Sequence, residues 1–262
     1  MKQMDDIRKL SELSESQWGM FTTAQAERIG VERWQLSGLF KKKHIERLDF
    51  GVYRLEGAPT ERFSDIKAGW ISTDPKKFVW ERLKEREHGI VVGGHTAANL
   101  YDAGDLWATP LLFIADKRRQ TRKKNIVFRK YELSRKDVIL VEGLPTATPE
   151  LTIAILAAEG NDLSHIEDVV RDLHRTRIIN EEELALRLTP YAKKYGFSNG
   201  NGEAFARKLI WNVVAQNIQS IKDSAIQQLK GIDFEKAREM TEASLDQIAW
   251  IQDAIDCINK DQ

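Results

Sequence analysis

The sequence predicts an α+β fold in three parts, and three observations carry that expectation. Residues 6–55 run as three short helical segments followed by a hairpin. Three β-rich segments, LLFIA (111–115), NIVFR (125–129) and DVILV (137–141), fall between residues 60 and 150. From TPELTIAILAAEG onward the periodicity is helical, over 149–158, 164–175, 181–194, 203–229 and 234–259. The parts expected are a winged helix-turn-helix at 1–57, a central mixed α/β domain at 60–190 and a helical extension at 191–262.

Each element has a local cause. Ile7, Leu10 and Leu13, spaced i, i+3, i+6, predict a helix over 6–16. Thr22 or Thr23 is the N-cap of a second helix, AQAERI, which stops at Gly30. A third helix, ERWQLSGLFKKK (32–43), follows Val31 at once, and two helices joined through so short a glycine turn make a helix-turn-helix. HIERL and VYRL then read as strands across the turn DFG. Ile45 and Leu48 have opposite parity, which predicts short strands or a bulge. Helices are expected at Phe78–Glu87 and at Thr96–Tyr101, the latter entered from the glycine pair of VVGGHT. The last helix would carry Leu245, Ile248, Ile251, Ile255 and Ile258 as an amphipathic seam.

The chain has 262 residues, 42% hydrophobic and 31% charged, with a formal net charge of +0. That length suits one large or two to three small domains. No run approaches the roughly 20 apolar residues of a membrane span. The opening MKQMDDIRKLSELSES has no apolar signal segment. Cys257 is the single cysteine, which leaves no internal disulfide and no cysteine-rich zinc site. A cytoplasmic location is the expectation. The charge is uneven: residues 115–136 hold ten Lys/Arg against two Asp/Glu, and residues 33–54 hold six against two. Two basic islands on a neutral chain point to a polyanion.

At about 100° per residue, Leu36, Leu39 and Phe40 share one arc of the third helix, the arc expected to face the core. Trp34, Ser37, Gly38 and Lys41 lie opposite, with Lys42 at the margin. A major groove admits one helix, and side chains along its outer face read the base edges. Arg33 stands near the helix N-terminus, where base contacts concentrate. Lys41, Lys42 and Lys43, with Arg47 and Arg54 of the hairpin, would neutralise flanking phosphates. Thr22 and Thr23, at the start of the second helix, complete this expected set. Two plainer readings stand beside it. Lysines at a helix end suit the helix dipole anywhere, and Trp34 would serve equally to pack on a neighbouring domain. In the second island Lys117, Arg118, Arg119, Arg122, Lys123 and Lys124 crowd between two predicted strands. A bound DNA duplex would relieve their repulsion; a solvated hairpin tip would tolerate it, and a protein or RNA partner is also open.

TTAQAERIGVERWQLSGLFKKKHIERLDFGVYRL resembles the N-terminal winged helix of the AbiEi family of bacterial antitoxin regulators. The shared pattern is a threonine-alanine helix, a glycine turn, a leucine-bearing recognition helix, a basic joint and a Gly-Val-Tyr-Arg wing. The similarity continues through GGHTAANLYDAGDL and GLPTATPELTIAIL, and so covers about residues 20–190. Leu151 stands where relatives commonly have arginine, and Ile155 where they have aspartate, so no role is transferred to either. The resemblance implies an antitoxin and autorepressor of a type IV toxin–antitoxin operon. Its winged helix would bind inverted repeats in its own promoter, with the second domain adding to the contact. It would counteract a co-encoded nucleotidyltransferase-like toxin, with or without touching it. A winged-helix transcription factor with no toxin partner is the first alternative, and a metal-dependent nuclease using the central α/β region the second.

No catalytic residue, metal site or cofactor is expected. His44, His88, His95, His165 and His174 form no i, i+4 metal pair. His95 reads as a capping or packed residue, and Gly93-Gly94 lacks the Gly-Lys-Ser/Thr of a phosphate loop. Asp102, Asp105 and Asp116 with Lys117 come nearest to the carboxylate cluster of a metal-dependent nuclease, at unconvincing spacing.

Overall fold

The computed structural model describes residues 2–212 apart from 85, 108 and 178, together with residues 215, 222 and 223. The chain divides into two compact units, Met1–Val213 and Val214–Gln262. The seam expected at Leu245–Ile258, and the helices expected beyond residue 212, lie outside the described residues. The first unit has an α+β fold.

The N-terminal part runs α1 (Lys2–Glu15), β1 (Met20–Thr22), α2 (Thr23–Arg28), α3 (Arg33–Lys41), β2 (Ile45–Asp49) and β3 (Val52–Leu55). β3 lies between β1 and β2, antiparallel to both. Thr22 caps α2: its hydroxyl accepts from Gln25 N at 3.0 Å, while Gln25 Oε1 accepts from Thr22 N at 2.9 Å. This reciprocal pair satisfies two N–H groups that a helix start otherwise leaves open. Glu32 and Gln35 repeat the device at the start of α3. Between β2 and β3 the chain turns at Gly51, whose φ of +72° strains any residue with a Cβ. The register slips between Arg47 and Asp49, the bulge that the parity of Ile45 and Leu48 predicts. Leu10, Phe21, Ala26, Val31, Leu36, Leu39 and Ile45 form the core under these elements.

The buried face of α3 differs from expectation at one residue. Leu36 and Leu39 are buried, but Phe40 is 48% exposed. Gln35 turns inward instead, donating to Asp6 Oδ2 at 2.7 Å. α1 supplies that acceptor, so the buried arc is shifted toward α1.

The central part is a five-stranded sheet in the order β6 (Ile126–Lys130), β5 (Leu111–Ala115), β4 (Val91–Val92), β8 (Leu144–Ala147), β7 (Val138–Val141). Pairing is parallel for β5·β6 and β4·β8, and antiparallel for β4·β5 and β7·β8. β5 is buried at every position. Leu112 and Ile114 join Leu151 and Ile155 of α7 (Pro149–Glu159) in one core cluster. Leu111 meets α4 (Ser64–Thr73) on the other face, so closely that a Cβ on Gly69 would collide with Leu111 Cδ1. A strand covered on both faces reads as a continuous apolar run, which is how LLFIA reads. Around the sheet stand α5 (Val79–Lys84), α6 (Gly94–Leu100), α8 (Leu163–Thr176) and α9 (Glu181–Leu188). After α9 the chain tightens into a 3₁₀ helix over Thr189–Tyr195. The single helix expected over 181–194 is therefore in two pieces, divided near Pro190, which has no N–H to continue the ladder. A further helix covers 202–212.

The two parts are joined by polar bonds rather than by a bare linker. Thr22 Oγ1 donates to the Pro75 carbonyl at 2.5 Å, and Gln25 Nε2 to the Lys77 carbonyl at 2.7 Å. Val79 N donates to Gln17 Oε1 at 2.8 Å. Arg28 grips Glu81 through two bonds of 2.7 and 2.9 Å, and its guanidinium lies 3.9 Å from the centre of the Phe78 ring. Arg28, with help from the Phe78 N–H, holds the Glu81 carboxyl down at about 2.

Candidate nucleic-acid interface

α3 presents an outer face of Trp34, Ser37 and Lys41, all exposed, with Gly38 partly covered between them. Capping fixes the start of this helix, and the Leu36–Leu39 anchor fixes its rotation, so the outer face follows from the inner one. Arg33 leaves the first turn largely exposed, steadied by a 2.8 Å ion pair with Glu27. At the far end Lys41, Lys42 and Lys43 are exposed, and Lys42 Nζ donates to Gln3 Oε1 at 2.6 Å. In the hairpin Arg47 is exposed and sits 5.2 Å from the centre of the Phe50 ring. Phe50, at the wing tip, is 79% exposed.

Two expected contacts are displaced. Arg54 is 7% exposed and pairs with Glu46 across the hairpin. It follows Val52 at period two on β3, so it points to the covered side of the sheet and presents no guanidinium to a ligand. Thr22 is fully buried, its hydroxyl occupied by the α2 cap and the Pro75 carbonyl. Thr23 stays partly exposed and lines a groove of about 420 Å³ with Arg33, Arg47, Phe50 and Lys123. Phe50 is not among the residues expected from sequence. An aromatic residue in a two-strand turn is nonetheless a signal, because a folded core gives it no place.

Residues 116–125 are not a hairpin tip. β5 and β6 run parallel, so the connection must cross back along the sheet before β6 begins. That path lays the basic loop beside the wing. Lys123 Nζ meets Asp49 Oδ2 at 2.6 Å, with both side chains about three-quarters covered. Lys123 is therefore neutralised from within the protein. Lys117, Arg118, Arg122 and Lys124 are exposed. Arg119 is also exposed, and borders a recess with Trp70 and Arg82.

One acidic and one histidine candidate, Asp102 and His95, are engaged elsewhere. The Asp102 carboxylate is held by Arg62, which lowers its pKa. His95 Nε2 is bonded to the Pro110 carbonyl at 2.7 Å, as a packed residue is. Among the described residues no three His, Cys, Asp or Glu side chains group to hold a metal ion. No helix among them is long and apolar enough to cross a membrane.

The arrangement therefore offers an outward helix face, a cationic wing and a second cationic strip, all suited to phosphate and to base edges. Residues 8–55 match the family described as "Transcriptional regulator, AbiEi antitoxin". The resemblance seen in the sequence thus holds over the winged helix-turn-helix. No curated protein matches the chain. Among solved structures, the crystal structure of RV2827C protein from Mycobacterium tuberculosis is similar, with 13% identity, 80% of each chain covered and a TM-score of 0.48.

Proposed function

We propose that this protein is a bacterial, cytoplasmic antitoxin and the DNA-binding autorepressor of its own toxin–antitoxin operon. α3 enters the major groove of an inverted-repeat operator with Arg33, Trp34 and Ser37 toward the bases. Lys41, Lys42, Lys43 and Arg47 contact the flanking phosphates, and Thr23 approaches the backbone from the start of α2. Phe50 reaches the sugar-phosphate edge from the wing. Lys117, Arg118, Arg122 and Lys124 extend the footprint along the same duplex. Arg54 and Thr22 take no part, being buried.

One observation carries this reading. Within the segment that matches an antitoxin-regulator family, the helix that follows the turn has its polar, lysine-ended face outward, beside an exposed wing arginine. The partner of the second activity is a co-encoded nucleotidyltransferase-like toxin, and this step rests on the family match alone. Mobility shift on the native upstream sequence at low ionic strength tests the first half. A retarded band that disappears with the Lys41, Lys42 and Lys43 to alanine variant is expected; no shift at any concentration would refute it. Co-expression with the adjacent gene tests the second, with growth rescue as the expected result.

A further inference from the structure

Beside α4 and α5 lies a recess of about 50 Å³, separate from the groove between α3 and the wing. Its floor is Arg82, which is 7% exposed and stacks on Trp70 with 3.3 Å between guanidinium carbon and ring centre. Arg82 donates to the Trp70 carbonyl at 2.7 Å and to Thr73 Oγ1 at 3.0 Å, and both acceptors are neutral. A guanidinium buried in this way keeps its charge only at a penalty, and burial pushes Arg82 down to about 9. The rim adds Lys77, Arg86, His88 and Arg119. Two carboxylates also line the recess, Asp74 and Glu81. Glu81 is already committed to Arg28 and to the Phe78 N–H. Arg82, Lys77, Arg86 and Arg119 thus line the recess against one carboxylate outside the Arg28 pair, Asp74, whose charge partly offsets the burial of Arg82 while Arg119 opposes it.

We propose that this recess is a binding site for a phosphate group, either the free ion or the head of a small phosphomonoester. Arg82 forms the base of the site, and Arg86 and Arg119 close over the anion. Planar guanidinium forks match the oxygens of phosphate in pairs. The charge surplus suits a dianion better than a carboxylate. The recess has room for one tetrahedral head or a few waters and not for a sugar or base, so the rest of any larger ligand stays outside. Arg82 lies too deep for the phosphates of a duplex, which stand on a rigid backbone. The inference does not depend on the DNA-binding reading, and it assigns Arg119 to this site.

Calorimetric titration of the full chain with inorganic phosphate, in chloride buffer at constant ionic strength, tests it. Saturable one-to-one binding is expected. Arg86→Gln and Arg119→Gln should each weaken it roughly tenfold, the loss of one charge-assisted bond, with the melting temperature in phosphate-free buffer unchanged. Asp74→Asn should tighten it by removing the competing charge. Methyl phosphate distinguishes the two sources: tighter binding than inorganic phosphate identifies a monoester head, and weaker binding the free ion. Absence of saturable binding, equal binding of acetate, or affinities unmoved in both glutamine variants would overturn the proposal. Because the readout is phosphate binding, failure here is separable from failure of duplex binding.

Discussion

The two basic islands each offer six cationic candidates in the sequence and meet different fates in the fold. Lys41 and Lys43 stand exposed at the end of α3, whose rotation is fixed by Leu36 and Leu39, and Arg47 stands exposed on β2 of the wing. In the 116–125 connection, Lys123 is spent on Asp49 and Arg119 borders the Arg82 recess, leaving four exposed cations on a loop. A run of like charge states how much is present, while the path of the backbone decides how much is free. Charges on a rigid helix end lose little freedom when they dock; those on a loop lose more.

The largest effect should come from replacing Lys41, Lys42 and Lys43 with alanine. If all three touch phosphate, the slope of log affinity against log salt falls by roughly 2.7, as read by fluorescence anisotropy on an upstream duplex. An unchanged slope would remove α3's end from the interface. Replacing Lys117, Arg118, Arg122 and Lys124 together should lower that slope by only about 1, since on a loop about one of the four is held on a phosphate at a time. A fall matching the lysine triple would erase the contrast between the islands.

The wing allows a sharper version within one hairpin. Arg47→Ala should reduce the slope by about 0.9 with no change in melting temperature. Arg54→Ala should leave the slope alone and destabilise the fold by about 1–2 kcal/mol, because the stem it loses is packed and Glu46 is left to solvent. Reversal of that pattern would place Arg54 at the interface.

The smallest effect concerns the joint. The Glu81 carboxyl sits at about 2 in the fold, against 4.5 ordinarily. A depressed carboxyl stabilises the charged, folded arrangement above its unfolded value. That contribution should be complete above about pH 4.5 and fade as the pH drops toward 2. Acid titration of Glu81→Gln against the parent should show the parent's advantage disappearing across that window. An advantage that persists below it would mean that the uncharged Glu81 carboxyl also contributes, through the bond it accepts from the Phe78 N–H.

The winged part is legible in the sequence because its signals are local. A cap at Thr22, a turn at Gly30 and an apolar pair at Leu36 and Leu39 act within a few residues of one another. α4 escapes notice because Ile66, Lys67, Ala68, Gly69, Trp70 and Ile71 are all buried, so it has no polar stripe to give a helical period. β4 has two residues, too few to alternate, and it exists through its neighbours β5 and β8. The fate of Lys123 is invisible for another reason: Asp49 is 74 positions away. Arg54 is readable, since period two from Val52 puts it on the covered side. Its positive charge argues for an outward position, and in the fold the parity prevails.

The bonds from Thr22, Gln25 and Arg28 to residues 75–81 have a thermodynamic corollary. A reading head on a slack tether must surrender rotational freedom on every encounter, and affinity suffers accordingly. Here that surrender happens once, during folding. A ligand that spans the winged and central parts meets them already at their final spacing, so its association should carry no ordering entropy from the joint between them and little change in heat capacity beyond the area it covers.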